Sequence, residues 1–337
     1  MTRPIVGAIR WDAWFGEDPT TTVGVQVERT LSPQQWHYRL PFFGREISPT
    51  SVEARANFQS VMDAEIHYAY EARIDYWAFV MYPNTFPSTT GGLDLYLRSA
   101  HKRDIRFCMM PDHLDDETIG RLVDYFKDPS YQTVLGGRPL LYLLGPNGLQ
   151  GLQEPRWRDV KGSIGSLRQR ALRALRKNPY IVHLWGWSGA KEIATELGVD
   201  AIGAYSLNFE DKGAPYATLA AKTREKWDEW RKTGLKVVPL VTAGWDRRPR
   251  VMNPVSWESS PPRPDEIEYY YAAPTPAELG GLLRDALSWC EHNTTAARVI
   301  LIYAWNEIDE GGWLVPSLWP DQGSRRLDAI RGVLAPE

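Results

Sequence analysis

The run Asn306-Glu307-Ile308-Asp309-Glu310-Gly311-Gly312-Trp313 places three carboxylates at and just beyond the end of a β-rich stretch, Arg298 to Glu307. Breaking a glycosidic bond needs one group to protonate the leaving oxygen and another to support the developing oxocarbenium ion. Two carboxylates a few ångströms apart perform both tasks. Glu307 and Glu310 are three residues apart, so a turn after the strand can aim both at one sugar. Asn306, Trp305 and Trp313 suit such a site, because flat aromatic faces cover the apolar C–H surface of a pyranose and an amide binds its hydroxyls. An acidic cluster on an arbitrary loop is usually just solvated. Here the strand-end position, the Gly311-Gly312 turn and the flanking tryptophans favour the chemical reading.

Other chemistries find less support. Only His113 among the six histidines stands squarely at a strand end, His183 falls inside a strand, and no H-x-H or H-E-x-x-H spacing occurs, so no metal site is expected. The segment after Trp11 reads Asp12-Ala13-Trp14 rather than a glycine-rich phosphate turn, and no dinucleotide or other cofactor is expected. The two cysteines, Cys108 and Cys290, fall in a strand and a helix and read as buried free thiols. Net charge is only −3 and neither sign accumulates, which disfavours nucleic acid and anionic membranes as partners.

The elements that must position these residues alternate along the chain. β-rich runs occur at Ile5 to Trp11, Tyr76 to Pro83, Arg106 to Asp112, Pro139 to Gly145, Tyr180 to Trp187, Ala201 to Leu207, Lys236 to Asp246 and Arg298 to Glu307. Segments between them carry helical spacing, such as Phe58, Val61, Met62, Ile66 and Ala69, or Leu279, Leu282, Leu283, Ala286 and Cys290. Helix starts are expected at Ser48-Pro49, at Ser188 and at the capping box Thr275-Pro276-Ala277-Glu278, and helix ends at Gly198 and Gly234. Eight alternating units with doubly apolar strands predict a (β/α)8 TIM barrel, in preference to an open doubly wound sheet. A 43% apolar fraction supports one large core, so residues 1–337 read as a single domain. The βα connections after strands one and seven are long and rich in Trp and Tyr, and loops there wall barrel active sites. No apolar stretch is long enough to span a bilayer and the first residues lack a signal-peptide pattern, so a cytoplasmic location is expected.

Three sets of residues carry a resemblance. They are Tyr70-Glu71-Ala72-Arg73-Ile74-Asp75-Tyr76-Trp77-Ala78-Phe79 entering strand two, Gly244-Trp245-Asp246 with Pro249-Arg250 after strand seven, and Ala304-Trp305-Asn306-Glu307 with Glu310-Gly311 after strand eight. In order and position they resemble the glycoside hydrolase family 99 group, including its endo-α-mannosidases, and the related WbsX-like proteins of polysaccharide gene clusters. The resemblance is strong in the last hundred residues and thin in the middle. It implies that Glu307 and Glu310 are the catalytic pair of a retaining enzyme. By family analogy the first would deprotonate the sugar's 2-hydroxyl, which attacks C1, and the second would act as general acid and then base. The chain departs from the family pattern at Ile308-Asp309 and in Gly312-Trp313-Leu314-Val315-Pro316, which bears on substrate and linkage. The large clan of retaining glycosidases also carries Asn-Glu, but after strand four; here it follows strand eight.

Further strand-end residues are candidates to line the pocket: Trp11, Asp12 and Trp14 after strand one, Tyr82 and Asn84 after strand two, and Asp112 and His113 after strand three. Trp187 after strand five, Tyr205 after strand six, and Trp245, Asp246 and Arg250 after strand seven complete the set. Arg247, Arg248 and Arg263 in the same loop could hold an anionic group. These readings predict a glycoside hydrolase acting on an α-linked oligosaccharide or glycoside. The alternatives are a glycan-assembly protein that transfers a sugar, for which no diphosphate site is visible, and a barrel that binds glycans without catalysis. Oligomeric state is not legible.

Overall fold

The computed structural model of the chain describes residues 3–14, 23–83, 91–258, 260–293, 297–319 and 324–335. Asn84 lies outside them.

Eight parallel strands form the barrel: β1 (Ile5–Arg10), β2 (Tyr76–Met81), β3 (Arg106–Pro111), β4 (Arg138–Leu143), β5 (Tyr180–His183), β6 (Ala201–Ile202), β7 (Leu240–Thr242) and β8 (Val299–Tyr303). Their order is β7-β8-β1-β2-β3-β4-β5-β6. The ring closes through a parallel bridge between Ile202 and Val237, with Ile202 N donating to Lys236 O at 2.9 Å and Val238 N to Ile202 O at 2.8 Å. The strands are apolar on both faces because one face fills the barrel and the other meets the helices; all six residues of β2 are buried. Inside, the Tyr76 and Tyr142 hydroxyls share a hydrogen bond of 2.5 Å.

Among the described residues, the outer layer consists of α1 (Gln59–Glu71), α2 (Gly91–Arg98), α3 (Asp116–Tyr125), α4 (Val160–Leu175), α5 (Ala190–Leu197), α6 (Tyr216–Lys232), α7 (Pro276–His292) and α8 (Arg325–Leu334). The capping box at Thr275 and Glu278 is present in full, and Gly198 caps α5 at φ 63°. Two expected starts differ. Ser48 ends a strand of a hairpin inserted before α1, which instead begins after Phe58 without a side-chain cap. Gly189, not Ser188, precedes α5. Cys108 and Cys290 are buried and free.

Both long connections are structured. The first carries a helix Val23–Leu31, a 3₁₀ turn Gln34–Arg39 and the antiparallel hairpin Gly44–Ser48/Ser51–Ala54. The seventh carries a short helix Arg248–Met252 and a 3₁₀ turn Glu266–Glu268. They bind each other: Arg29 donates to the Pro254 carbonyl, and Ser256 N donates to Gln26 Oε1 at 2.7 Å. Among the described residues, no helix is long and apolar enough to cross a membrane.

Candidate active site

Strand β8 ends at Tyr303, and the chain then turns into a short antiparallel hairpin that pairs Asn306-Glu307 with Gly312-Trp313. The hairpin holds Glu307 and Glu310 over the carboxyl end of the barrel. Both are buried, at 3% and 9% exposure. The turn closes because two backbones approach without side chains. A Cβ on Gly244 would stand 2.4 Å from the Gly311 carbonyl oxygen, and one on Gly311 would stand 2.5 Å from Asp246 N. That proximity lets Asp246 N donate to the Glu310 carbonyl at 2.6 Å.

The carboxyl groups of the pair have unequal surroundings. Glu307 Oε1 accepts from the Tyr205 hydroxyl. Its Oε2 is buried without a hydrogen-bond partner, and the nearest cation, Arg250 Nη2, is 3.6 Å away. Burial, then the neighbouring Glu310 charge, pushes the Glu307 carboxyl up to about 8. Glu310 accepts from Arg250 Nη1 on one oxygen and from the Tyr303 hydroxyl on the other, with Arg247 Nε at 3.4 Å. Burial opposes its charge, but Arg250, Arg247 and these hydrogen bonds outweigh burial and hold it below the usual carboxylate range. Proton affinity is therefore split across the pair, raised at Glu307 and lowered at Glu310. That is the arrangement acid/base chemistry needs.

Arg250 is the hub. It also binds Asp309 through Nε at 2.7 Å and Nη2 at 3.1 Å, and its guanidinium lies 5.3 Å and 5.6 Å from the Trp11 and Trp257 ring centres. Tyr82 accepts through its hydroxyl from the Trp11 indole Nε1 at 3.1 Å. Its phenol is pushed up by burial and by the Glu307 and Asp112 charges. Trp245 stands 5.8 Å from Tyr303 and lines, with Arg247, Tyr269 and Tyr271, a cavity of about 220 Å³.

The structure thus brings Trp11, Tyr82, Tyr205, Trp245 and Arg250 around the glutamates. Asp112 belongs to the neighbouring wall, where its Oδ1 lies 2.7 Å from His113 Nδ1; His113 Nε2 meets Thr118 Oγ1 at 2.6 Å. Trp187 lies on a separate groove, 5.7 Å from Phe209 and 5.0 Å from Lys226 Nζ. The remaining candidates do other work. Asn306 takes Trp11 N at 2.8 Å and donates to Trp11 O at 2.7 Å, clamping β1 to the hairpin. Asp246 is held by Arg39 and by Arg248 at 2.8 Å. Asp12 pairs with Arg10 at 2.8 Å in the layer between strands and helices, where burial raises it to about 6. Trp305 packs there too, 5.0 Å from Trp77. Trp14 packs on Phe43, and Trp313 lies under Arg326 at 3.8 Å.

Tyr303 and Glu258 stand outside the expected site residues, whereas Trp257 belongs to the aromatic-rich seventh loop expected to wall the site; Glu258 Oε1 lies 3.5 Å from Arg250 Nη1 and accepts from Arg247. Tyr303 stood four residues before Glu307 inside the motif, and its position as the last residue of β8 was the available signal. Trp257 and Glu258 come from a loop without periodicity, and nothing in the sequence pairs them with β8. Among the described residues, no cluster of three or more His, Cys, Asp or Glu side chains could hold a metal ion.

The chain is a closed (β/α)8 barrel with a buried pair of carboxyl groups just past its last strand. No known family profile matches the sequence, and no curated protein matches it. Among solved structures it is similar to a glycoside hydrolase-like protein, with a TM-score of 0.62 and 14% identity over 100% of this chain and 95% of that one. It is also similar to the family 99 endo-α-mannosidase of Bacteroides thetaiotaomicron, with a TM-score of 0.56 and 14% identity over 99% of this chain and 96% of that one. At this identity the likeness establishes the common fold, and it accords with the resemblance carried by the strand-two, strand-seven and strand-eight motifs.

Proposed function

We propose that this chain is a glycoside hydrolase that cleaves an α-linked glycan with retention, using Glu307 and Glu310 as its acid/base pair and no cofactor. The observation that carries the reading is the pair itself. Two buried carboxyl groups lie beside one guanidinium at the barrel mouth, Glu310 bonded to it and Glu307 3.6 Å away, one favouring its charge and the other its proton. Trp11, Tyr82, Asp112, Tyr205 and Trp245 form the wall against which a sugar ring packs, and the long first and seventh loops lengthen it into a cleft for an oligosaccharide. The α linkage and the retaining outcome follow the family resemblance.

The test is hydrolysis of a panel of aryl α- and β-glycosides and oligosaccharides by the wild type beside Glu307→Gln and Glu310→Gln. A loss of about a hundredfold or more in both variants, the usual worth of a general acid or base, is the expected result. The anomer first released, read by proton NMR, reports retention. A protein that binds glycans and cleaves none of them is a binding barrel, and one that moves sugar from a nucleotide donor is a transferase.

A further inference from the structure

We propose that the amino-terminal mouth of the barrel, the end opposite the glutamates, is a binding site for a phosphate ester that carries a sugar or base ring. Such a site is separate from the hydrolase chemistry above and does not depend on it.

A cavity of about 800 Å³ opens there, within the size range of small-molecule sites. Its wall is built where α1 hands the chain to β2, where β1 and β3 begin, and on α8. Five arginines line it, Arg3, Arg73, Arg103, Arg106 and Arg331, against three acids, Glu71, Asp75 and Asp104. The cavity is therefore positive in a chain whose net charge is −3. These arginines are scattered along the sequence, and the closing of the barrel brings them to one mouth. The acids do not neutralise them evenly. Arg3 is held by Asp75 at 2.6 and 3.0 Å, whereas Arg331 reaches Glu71 only at 3.8 Å. Asp104 faces His101 at 3.5 Å, and Arg106 donates to the Pro129 carbonyl at 3.3 Å. The side chains of Arg73 and Arg103 have no hydrogen-bond or ion-pair partner among the described residues. A guanidinium presents paired N–H donors in the geometry of phosphate oxygens, and a concave wall concentrates its field.

Arg73 is strained as well as unpaired. It sits at φ 61°, in the left-handed region that glycine or asparagine usually fills after a helix. Its N–H bonds the Tyr70 carbonyl at 2.8 Å, and its own carbonyl accepts from Arg3 Nη2 at 3.0 Å, so an arginine of the cavity holds the strained turn. Glycine would fit that turn better, and the turn itself has no need of a cation. Next to it Tyr70, which also lines the cavity, is 53% exposed and offers a flat face to a ring. Gln132, another lining residue, keeps its side-chain oxygen buried and without a partner, an acceptor for a ring hydroxyl or N–H. Unpaired guanidiniums, an exposed aromatic face and a spare acceptor in one cavity match a ligand with phosphate at one end and a ring at the other. The segment from Tyr70 to Asp75, at the wrong end of the barrel for the chemistry of the glutamates, acquires a role here.

Isothermal titration calorimetry of the full chain with ADP, glucose 1-phosphate and pyrophosphate tests this site. Saturable binding of ADP or of glucose 1-phosphate is expected, tighter than that of pyrophosphate and weakening as salt rises; the tighter of the two esters tells a base from a sugar ring. Arg73→Gly relieves the left-handed position, so this variant should keep or raise its melting temperature while losing about tenfold in affinity. Arg103→Ala should lose a similar factor, about the worth of one charge-assisted hydrogen bond. Tyr70→Ala should weaken the bound ester and leave pyrophosphate unchanged. Folded wild-type protein that binds none of the three saturably overturns the proposal, as does binding that survives unchanged in the Arg73→Gly/Arg103→Ala double variant. Pyrophosphate binding as tightly as both esters, with Tyr70→Ala without effect, overturns the role given to the ring. Because binding is read directly, a wild type that cleaves no glycoside sinks the hydrolase reading and leaves this test intact.

Discussion

Arg10 and Arg250 are both buried, both share a guanidinium among carboxylates, and both lie against tryptophan, yet they sit in opposite layers of the barrel. Arg10 binds Asp12 and Glu65 at 2.8 Å each, between β1 and α1, with side chains 0%, 3% and 1% exposed. Glu65 also accepts from the Trp305 indole at 2.9 Å. Around Arg250 three buried acids share one guanidinium, only two of them hydrogen-bond to it directly, one oxygen of the third is left without a partner, and the Glu310 side chain is 12% exposed. Burial and ion pairing are common to both clusters and therefore mark neither as a site. The excess of acid separates them: two buried carboxyl groups face Arg10, whereas three face Arg250, which suits the second cluster to proton transfer.

The comparison breaks first at Glu65. Glu65→Ala strips Arg10 of one buried partner and the Trp305 indole of its acceptor, and should cost about 3–5 kcal/mol of folding free energy. Chemical denaturation measures the loss, and the kcat of the folded fraction is expected to stay at the wild-type value. Glu307→Gln should do the reverse, removing activity while relieving a stability penalty. Folded Glu307 is raised from its ordinary value to about 8. The folded chain therefore holds this proton more tightly than the unfolded chain, and the stabilisation is lost as pH rises through about 8. The variant lacks that loss, so between about pH 6 and pH 9 its melting temperature should fall less than that of the wild type. A steeper fall in the variant would show that Glu307 is not the strained member.

A smaller effect is expected at Gly311, which has φ 88° and whose Cβ would stand 2.5 Å from Asp246 N. Gly311→Ala should cost about 1–3 kcal/mol and displace the Glu310 backbone, lowering kcat as well as the melting temperature. A variant with lowered stability and unchanged kcat would detach the turn from the chemistry.

Much of this was legible in the sequence for a physical reason. Doubly buried strands leave apolar runs that need no partner to be recognised, and the Thr275 capping box is a local interaction complete within four residues. The start of α1 was misread because Ser48-Pro49 has the chemistry of a helix start but serves the turn of an inserted hairpin. In the candidate site, Glu307 and Glu310 are singled out by strand-end position together with the Gly311-Gly312 turn, the flanking tryptophans and the family resemblance. Their neighbours Trp305 and Asn306 could not be placed, because strand β8 stops at Tyr303 and the alternation of faces does not carry into the hairpin. Asp12 follows β1 as a pocket residue would, and turns instead to Arg10. Arg250 is legible as a pocket residue through the Pro249-Arg250 motif and Arg247 as a loop cation; that they hold the acid pair depends on how two long loops fold over each other, which no local pattern encodes.

The finest division between the two clusters is one peptide bond wide, because Trp305 belongs to the Arg10 cluster and Asn306 to the mouth. Trp305→Phe tests it. Phenylalanine keeps most of the ring contact with Trp77 and deletes the N–H that reaches Glu65 Oε1. Glu65 keeps its ion pair with Arg10 through Oε2, so the loss is one hydrogen bond to a buried acceptor, about 1–2 kcal/mol. The clamp from Asn306 to the Trp11 backbone does not involve the indole, and kcat/KM should hold within about twofold, below the resolution of a single hydrogen bond. A large fall in kcat/KM with little change in stability would place the indole at the substrate after all and merge the two clusters into one site.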